Sequence, residues 1–411
     1  MRGVALAVAL AGCLGGGGTA SGPTDATVLF AVVDQNLACN TNGQGAHDSY
    51  LGGVAIGSTL AFIATASDAF GCGNDAASQS LLEVSLAGGD PGTSLGSIGP
   101  QPPQEAHVAA VGDTPVFAFA MANGGELQGQ IGSAAAFGIQ PPTGGMLYAA
   151  DAVGDGSGAW IASWGGFAMM QGGFDDPGYP YDQQIFQPTG TASGGTLLRV
   201  GVDGTAQAVA SLPANQSWAC ATMPDCLASD GSGGVLAIAS ETSQPGQGTL
   251  LALPAGATAF TAIEALTTLA DGGPMGFASD GAHAAWVLAD EPNGGQPHCV
   301  VVARDLAAGS DTQLLESTAF SCAGAAVDAT GAYVAITTYG HGDQGNVIDG
   351  LGIGRVEFAT GAFESIATGL SGEGVGARRL YVVGDTIYVV DPHVLAAIPV
   401  AALAGQHAFA P

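Results

Sequence analysis

Short runs of Val, Ile, Leu, Phe, Tyr and Ala alternate along most of the chain with clusters of Gly, Asp, Pro and Ser. Apolar runs of this length bounded by turn-forming residues predict β-strands, and no long stretch carries apolar residues at helical spacing. Six turns containing aspartate each lead directly into such a strand. They are Gly112-Asp113 before VFAFAMA, Asp155-Gly156 before AWIASWG, Asp230-Gly231 before VLAIASE, Asp280-Gly281 before AAWVLAD, Asp328 with Gly331 before YVAITTY, and Gly384-Asp385 before IYVVD. A seventh, Gly57-Ser58 before LAFIATA, lacks the acid. The chemistry suits a hairpin: the carboxylate accepts bonds from nearby amides, and glycine takes positive φ without steric cost.

A second strand follows each of these after a variable loop, as in SLLEVSLAG, GTLLRVGVDG, GTLLALPAGA, CVVVARDLAAG and GIGRVEFATGA. Most units then end in a short edge strand such as QAVASL, FTAIEAL or TQLLES. Each unit reads as four antiparallel strands over about 45 to 55 residues, the size of a propeller blade. Seven units begin near Leu51, His107, Asp151, Cys226, Gly276, Cys322 and Val375. The expected fold is an all-β propeller of about seven four-stranded blades, with six or eight as the alternatives. The last unit shows only three strands, and TVLFAVV near Thr27 belongs to no unit, so that segment is expected to complete the last blade and close the ring. A solenoid, the other way to stack such units, would leave both end strands uncovered. The repeat resembles that of bacterial propellers of the YWTD-like and NHL-like kind, including myxobacterial-type lipoproteins that carry such repeats. The resemblance spans roughly residues 27 to 403 and implies architecture without implying a reaction.

The amino end reads MRGVALAVALAGC: one positive charge, a short apolar run, then small residues before Cys13. This is the layout of an export signal, and the run is too short to span a bilayer, which takes about 20 residues. Leu10, Ala11, Gly12 and Cys13 resemble the lipobox of bacterial lipoproteins, which implies lipidation of Cys13 and an anchor in the envelope membrane. An ordinary secretory signal is the competing reading. Leu14, in place of an aspartate, resembles the pattern of outer-membrane sorting. The expected organisation is a signal over residues 1–12, a lipidated Cys13 with a Gly-rich tether over 13–26, and the propeller over 27–411.

Composition narrows the partners. The chain has no lysine and only six arginines against 35 acidic residues, a formal charge of −29. Nucleic acid is excluded as a partner by the missing positive footprint, and a P-loop by the missing lysine. Seven cysteines in an exported chain leave six after Cys13, an even number that suggests disulfides. Neighbour pairing joins Cys39 with Cys72, Cys220 with Cys226, and Cys299 with Cys322, since all six fall in loops and crossings on one side of the ring. Zinc is the competing reading, disfavoured by the wide Cys220–Cys226 spacing and the absence of a following His at finger spacing.

Long loops are the candidate binding sites. The insertion from Gly166 to Gly194 carries FDDPGYPYD, with Asp175, Asp176 and Asp182 beside Tyr179 and Tyr181. Carboxylates there suit Ca²⁺, and tyrosines beside them suit a sugar or peptide. The loop GHGDQG places His341 two residues from Asp343, a pair suited to metal binding or proton transfer, as is His47 beside Asp48. Trp160, Trp164 and Trp286 read as packing between blades, and Trp218 as the tryptophan of the binding face. No GxSxG, HExxH or CxxC motif is present. The expected function is a membrane-anchored, monomeric binding or scaffold module for a protein or glycan ligand, without a cofactor. The alternative is a metal-assisted hydrolase or lyase acting on glycans or other extracellular material, with Asp175, Asp176 and Asp343 as ligands and His341 as base.

Overall fold

A computed structural model describes residues 26–31, 47–69, 79–88, 92–98, 107–120, 127–133, 135–139, 147–165, 167–168, 187–188, 195–221, 225–241, 244–266, 272–290, 297–342, 345–368, 370, 379–391 and 394–411. Seven antiparallel sheets follow one another as the blades of a propeller. Blade 1 runs His47–Ile56, Leu60–Ala69, Gln79–Ser85 and Thr93–Ile98, and blade 2 His107–Val111, Thr114–Ala120, Leu127–Ile131 and Ala135–Ile139. Blade 3 takes Leu147–Gly154, Gly158–Gly165, Thr196–Gly201 and Ala206–Ser211. Blade 5 takes Gly272–Ser279, His283–Asp290, Cys299–Asp305 and Ser310–Ser317, and blade 6 Ser321–Asp328, Gly331–Gly342, Gly345–Glu357 and Phe363–Ala367. In blade 4 the innermost position is split: Gln216–Trp218 and Leu227–Ser229 both pair with Val235–Glu241, which is followed by Gln244–Leu253 and Thr261–Ala265.

Blade 7 contains Arg379–Val383, Thr386–Val390 and Val394–Pro399, and its outer strand is Thr27–Ala31, paired antiparallel with Thr27 opposite Ala397 and Ala31 opposite Val394. The amino-terminal strand therefore closes the ring, as the three-strand last unit predicts. Leu29 enters the apolar cluster of Leu51, Val54, Ile63, Tyr388 and Leu395, so closure also seals blade 7 onto blade 1. The carboxyl end secures the adjoining blade. Beyond a short turn at Val400–Leu403, Gln406 accepts a bond from the Ser365 amide, and Ser365 Oγ donates to the Phe409 carbonyl at 2.9 Å.

The second strand of each blade is covered on both faces, which is why its sequence is continuously apolar rather than alternating. Val235–Glu241 is buried at every position but the last, while the outer strand Thr261–Ala265 of the same blade has no buried residue. The turn acids also act as clasps. In blade 3 Asp155 accepts from the Ser157 and Gly158 amides, the Trp160 indole and Arg199, whose guanidinium lies 4.6 Å over the Trp160 ring. Blade 6 has a related clasp: Asp328 accepts from the Thr330 and Gly331 amides and the Tyr333 hydroxyl, while Arg355 donates to Thr330 Oγ1 with its guanidinium 5.9 Å from the Tyr333 ring. Burial pushes Asp155 up, but the bonds from Arg199 and Ser157 outweigh it and hold the carboxyl below its ordinary value. Asp113 instead reaches the preceding blade's turn, accepting from the Thr59 amide and the Ser58 hydroxyl, which lowers it to about 2.

From the middle of the strands to the turn end the innermost strands approach backbone to backbone. A Cβ on Gly276 would stand 2.5 Å from the Gly324 carbonyl carbon, and one on Gly154 would land on the Ala110 carbonyl. One expectation is corrected in blade 6: GHGDQG does not begin a free loop, because Gly331–Gly342 and Gly345–Glu357 extend as a hairpin that pairs His341 with Asn346. The longer strands satisfy backbone groups that a loop would leave to water.

Candidate functional site

The innermost strands and one loop bring a charged cluster to the other end of the axis. Arg379 is the first residue of blade 7's innermost strand and His107 the first of blade 2's, while Asp225 stands just before Leu227, in the loop that splits the innermost position of blade 4. Asp225 Oδ1 lies 3.1 Å from Arg379 Nε, an ion pair that joins blade 4 to a blade three positions further round the ring. Asp151, from the innermost strand of blade 3, accepts on Oδ2 from the amides of Cys226 at 2.7 Å and Leu227 at 2.8 Å. Its Oδ1 accepts from the Ala152 amide at 2.7 Å. These bonds have a local cause: the split innermost strand of blade 4 turns its amides toward blade 3, and a buried amide needs an acceptor. Tyr381, two residues after Arg379 on the same strand, donates its hydroxyl to the Val54 carbonyl of blade 1 at 2.6 Å.

One guanidinium thus faces two carboxylates. Burial raises Asp225, Arg379 lowers it and Asp151 raises it, with the balance at about 7. Its side chain is 17% exposed and that of Arg379 14%, so water reaches a pair that the surrounding blades crowd closely. Asp151 is only 3% exposed, and burial raises it against the opposing pull of Arg379 and the three amides. Burial first, and the charge of Arg379 second, lower His107 to about 3, so its ring is neutral at ordinary pH. Burial and the Asp225 charge push the Tyr381 hydroxyl up, keeping it protonated. Both carboxylates of the cluster are therefore raised, each chiefly by its burial.

The structure pairs Cys220 with Cys226 and Cys299 with Cys322, in agreement with neighbour pairing. The first closes the loop that splits blade 4 beside the axial cluster. Asp151, Cys220 and Cys226 offer ligand atoms within 4.8 Å of one another, but a disulfide has no thiolate to give a metal. The second joins blade 5 to blade 6 with both sulfurs buried. Replacing Cys299 and Cys322 together by serine is expected to lower the unfolding free energy by about 3 kcal/mol, the chain-entropy value for a loop of this length. Denaturant titration under oxidising conditions measures it, and an unchanged midpoint would refute the bracing role.

Trp218 is not at the binding face. It is completely buried, its indole N–H donates to the Ser163 carbonyl at 3.0 Å, and it meets the Phe260 ring edge-on at 5.9 Å. A large ring beside a glycine, Gly195, fills the junction of blades 3 and 4. Trp160 and Trp286 are buried as packing residues. Cys13, Cys39, Cys72, Asp175, Asp176, Tyr179, Tyr181, Asp182 and Asp343 lie outside the described residues. The cluster of His107, Asp151, Asp225, Arg379 and Tyr381 was not among the residues singled out from sequence. Its only linear trace is an acid inside the apolar run LYAADAVG and a scarce arginine opening a strand.

No protein-family model and no curated protein sequence matches the chain. Solved structures resemble it in outline. YCF48 bound to D1 peptide aligns over 96% of this chain and 99% of that one, at 12% identity and a TM-score of 0.49. An acylaminoacyl peptidase from Pyrococcus horikoshii aligns over 85% of this chain and 50% of that one, at 10% identity and a TM-score of 0.47. An oligogalacturonate lyase in complex with manganese aligns over 83% and 86%, at 9% identity and a TM-score of 0.44. Likenesses this remote carry no argument about chemistry, and the fold stands on its own strand pairing.

Proposed function

We propose that the protein is an exported, lipid-anchored propeller that binds a protein or glycan on the face where its blade crossings emerge, and that it does so without catalysis. The observation that supports binding is the commitment of the acid and base groups at that end of the axis. Asp151 accepts three amides, Arg379 pairs with Asp225, Tyr381 bonds to Val54, and His107 is buried and uncharged. Groups tied to one another in this way fix the shape of the rim, and they form no nucleophile with an adjacent base. Loops carried on such a rigid ring are suited to recognition.

Anchoring rests on the lipobox-like Leu10 to Cys13, since two or more acyl chains hold a domain on a membrane stably. Leu14 favours the outer membrane. The full chain expressed in a diderm bacterium is expected to incorporate labelled palmitate and sediment with the outer membrane, and Cys13→Ser to do neither. Solubilised in detergent, it is expected to bind members of a glycan array through the Gly166 to Gly194 insertion, so that deleting the insertion abolishes binding. Cleavage of the arrayed glycans would identify an enzyme instead.

A further inference from the structure

We propose that Cys220 is a thiol-modification site: a small thiol opens the Cys220–Cys226 disulfide by attack on Cys220, and Asp151 passes a proton to the departing Cys226 sulfur. One exchange modifies one molecule, so the site adds no turnover and does not rest on the identity of any bound ligand.

The two disulfides among the described residues differ in what can reach them. Cys299 and Cys322 are 0% and 2% exposed, and both lie on paired strands, Cys299–Asp305 and Ser321–Asp328. Cys220 is partly exposed, in the short turn Ala219–Ala221, whereas Cys226 is completely buried. A dissolved thiol therefore meets one sulfur of the four. Backbone bonds sharpen the asymmetry: the Cys226 amide donates to Asp151 Oδ2 at 2.7 Å, and its carbonyl accepts from the Ile238 amide at 2.9 Å, which holds Cys226 on the blade.

Exchange needs one thiolate to arrive and another to leave. The incoming thiolate attacks Cys220 Sγ; the bond from Cys220 to Cys226 breaks, a bond from Cys220 to the incoming sulfur forms, and the electron pair passes to Cys226 Sγ. A bare thiolate there is costly, because burial removes its water. A carboxyl oxygen of Asp151 lies within 4.8 Å of both sulfurs, near enough to hand over a proton directly or through one water. Burial, the largest influence on Asp151, favours its protonated form, and the carboxylate left after transfer keeps the amides of Ala152, Cys226 and Leu227. The products are a mixed disulfide on Cys220 and a neutral thiol on Cys226. In reverse, Asp151 takes the proton back, and the Cys226 thiolate attacks Cys220 and expels the modifier. The charged and titratable groups around Asp151 are Arg379 and Tyr381 of blade 7 and Asp225 of blade 4, with His107 of blade 2 beside Arg379.

Cysteamine tests the proposal on the full chain, since a cationic thiol suits a protein of formal charge −29. After brief exposure, alkylation with iodoacetamide and peptide mass mapping are expected to find cysteamine on Cys220 and the alkyl group on Cys226, with Cys299–Cys322 intact. Cysteamine on Cys226, or Cys299–Cys322 opened as fast as Cys220–Cys226, would overturn it. The role of Asp151 is read from the rate of opening per cysteamine thiolate. In the wild type that rate is expected to decline with rising pH as Asp151 loses its proton. In Asp151→Asn, which keeps an acceptor oxygen but carries no acid proton, it is expected to be lower by about tenfold or more and independent of pH. The same rate and the same decline in both proteins would remove Asp151 from the reaction. If Asp151→Asn fails to fold, the wild type decides, because a rate per thiolate that does not change with pH refutes the proton transfer.

Discussion

Replacing Arg379 with methionine is expected to lower the unfolding free energy by roughly 3–5 kcal/mol at pH 8 and by clearly less at pH 5. The substitution keeps the length of the stem and removes the cation shared by Asp151 and Asp225. At pH 8 both acids must then be ionised in a crowded site or take protons against the bulk pH, and either is costly. At pH 5 protonation of Asp225, already raised in the native protein, discharges much of that cost. The wild type should show the same linkage in weaker form. A carboxylate whose folded value lies above its unfolded one binds more protons when folded, so its stabilisation is complete below about pH 4 and is lost as pH rises through about 7. Chemical denaturation of both proteins at the two pH values measures the effect, and an equal loss at pH 5 and pH 8 would show that Arg379 acts through packing alone.

The architecture was legible because it is written locally and repeated. Each Asp-Gly turn closes its own hairpin, each second strand is apolar because both faces are covered, and the unpaired strand at Thr27 announces ring closure. Departures from the repeat were harder to read. The split in blade 4 follows from a disulfide within a few residues, and the extended hairpin of blade 6 contains glycines and polar residues that read as a loop. Trp218 was misplaced because it borders a cysteine-rich crossing, while the space that buries it is provided by Gly195 in the preceding blade. The axial cluster was invisible for a stronger reason. His107, Asp151, Asp225 and Arg379 come from four blades, and only the curvature of the ring brings them together. No spacing along the chain encodes that meeting. Knowing the register of the innermost strands would have exposed it, since charged residues that open such strands must face the axis or a neighbouring blade.

That curvature depends on glycine, and Gly154→Ala is expected to cost about 3 kcal/mol, at the upper end for overpacking. Gly154 ends the innermost strand of blade 3, and the added Cβ would land on the carbonyl of Ala110 in the innermost strand of blade 2. The obstacle is backbone paired within its own sheet, as Ala110 is with Pro115, so it cannot yield as a flexible side chain would. Relief requires blades 2 and 3 to separate, which opens the apolar contacts of Ala109, Val116, Ile161 and Val200. Gly156→Ala, two residues on, is the internal control: nothing lies within 4 Å of its added Cβ. That change should alter stability by no more than about 0.5 kcal/mol, or raise it slightly by restricting the unfolded chain. Denaturation midpoints of the two variants separate close approach from a general loss of glycine flexibility. Equal losses at the two positions would mean that backbone freedom in the turn, rather than the tight seating of blade 3 against blade 2, sets the requirement for glycine.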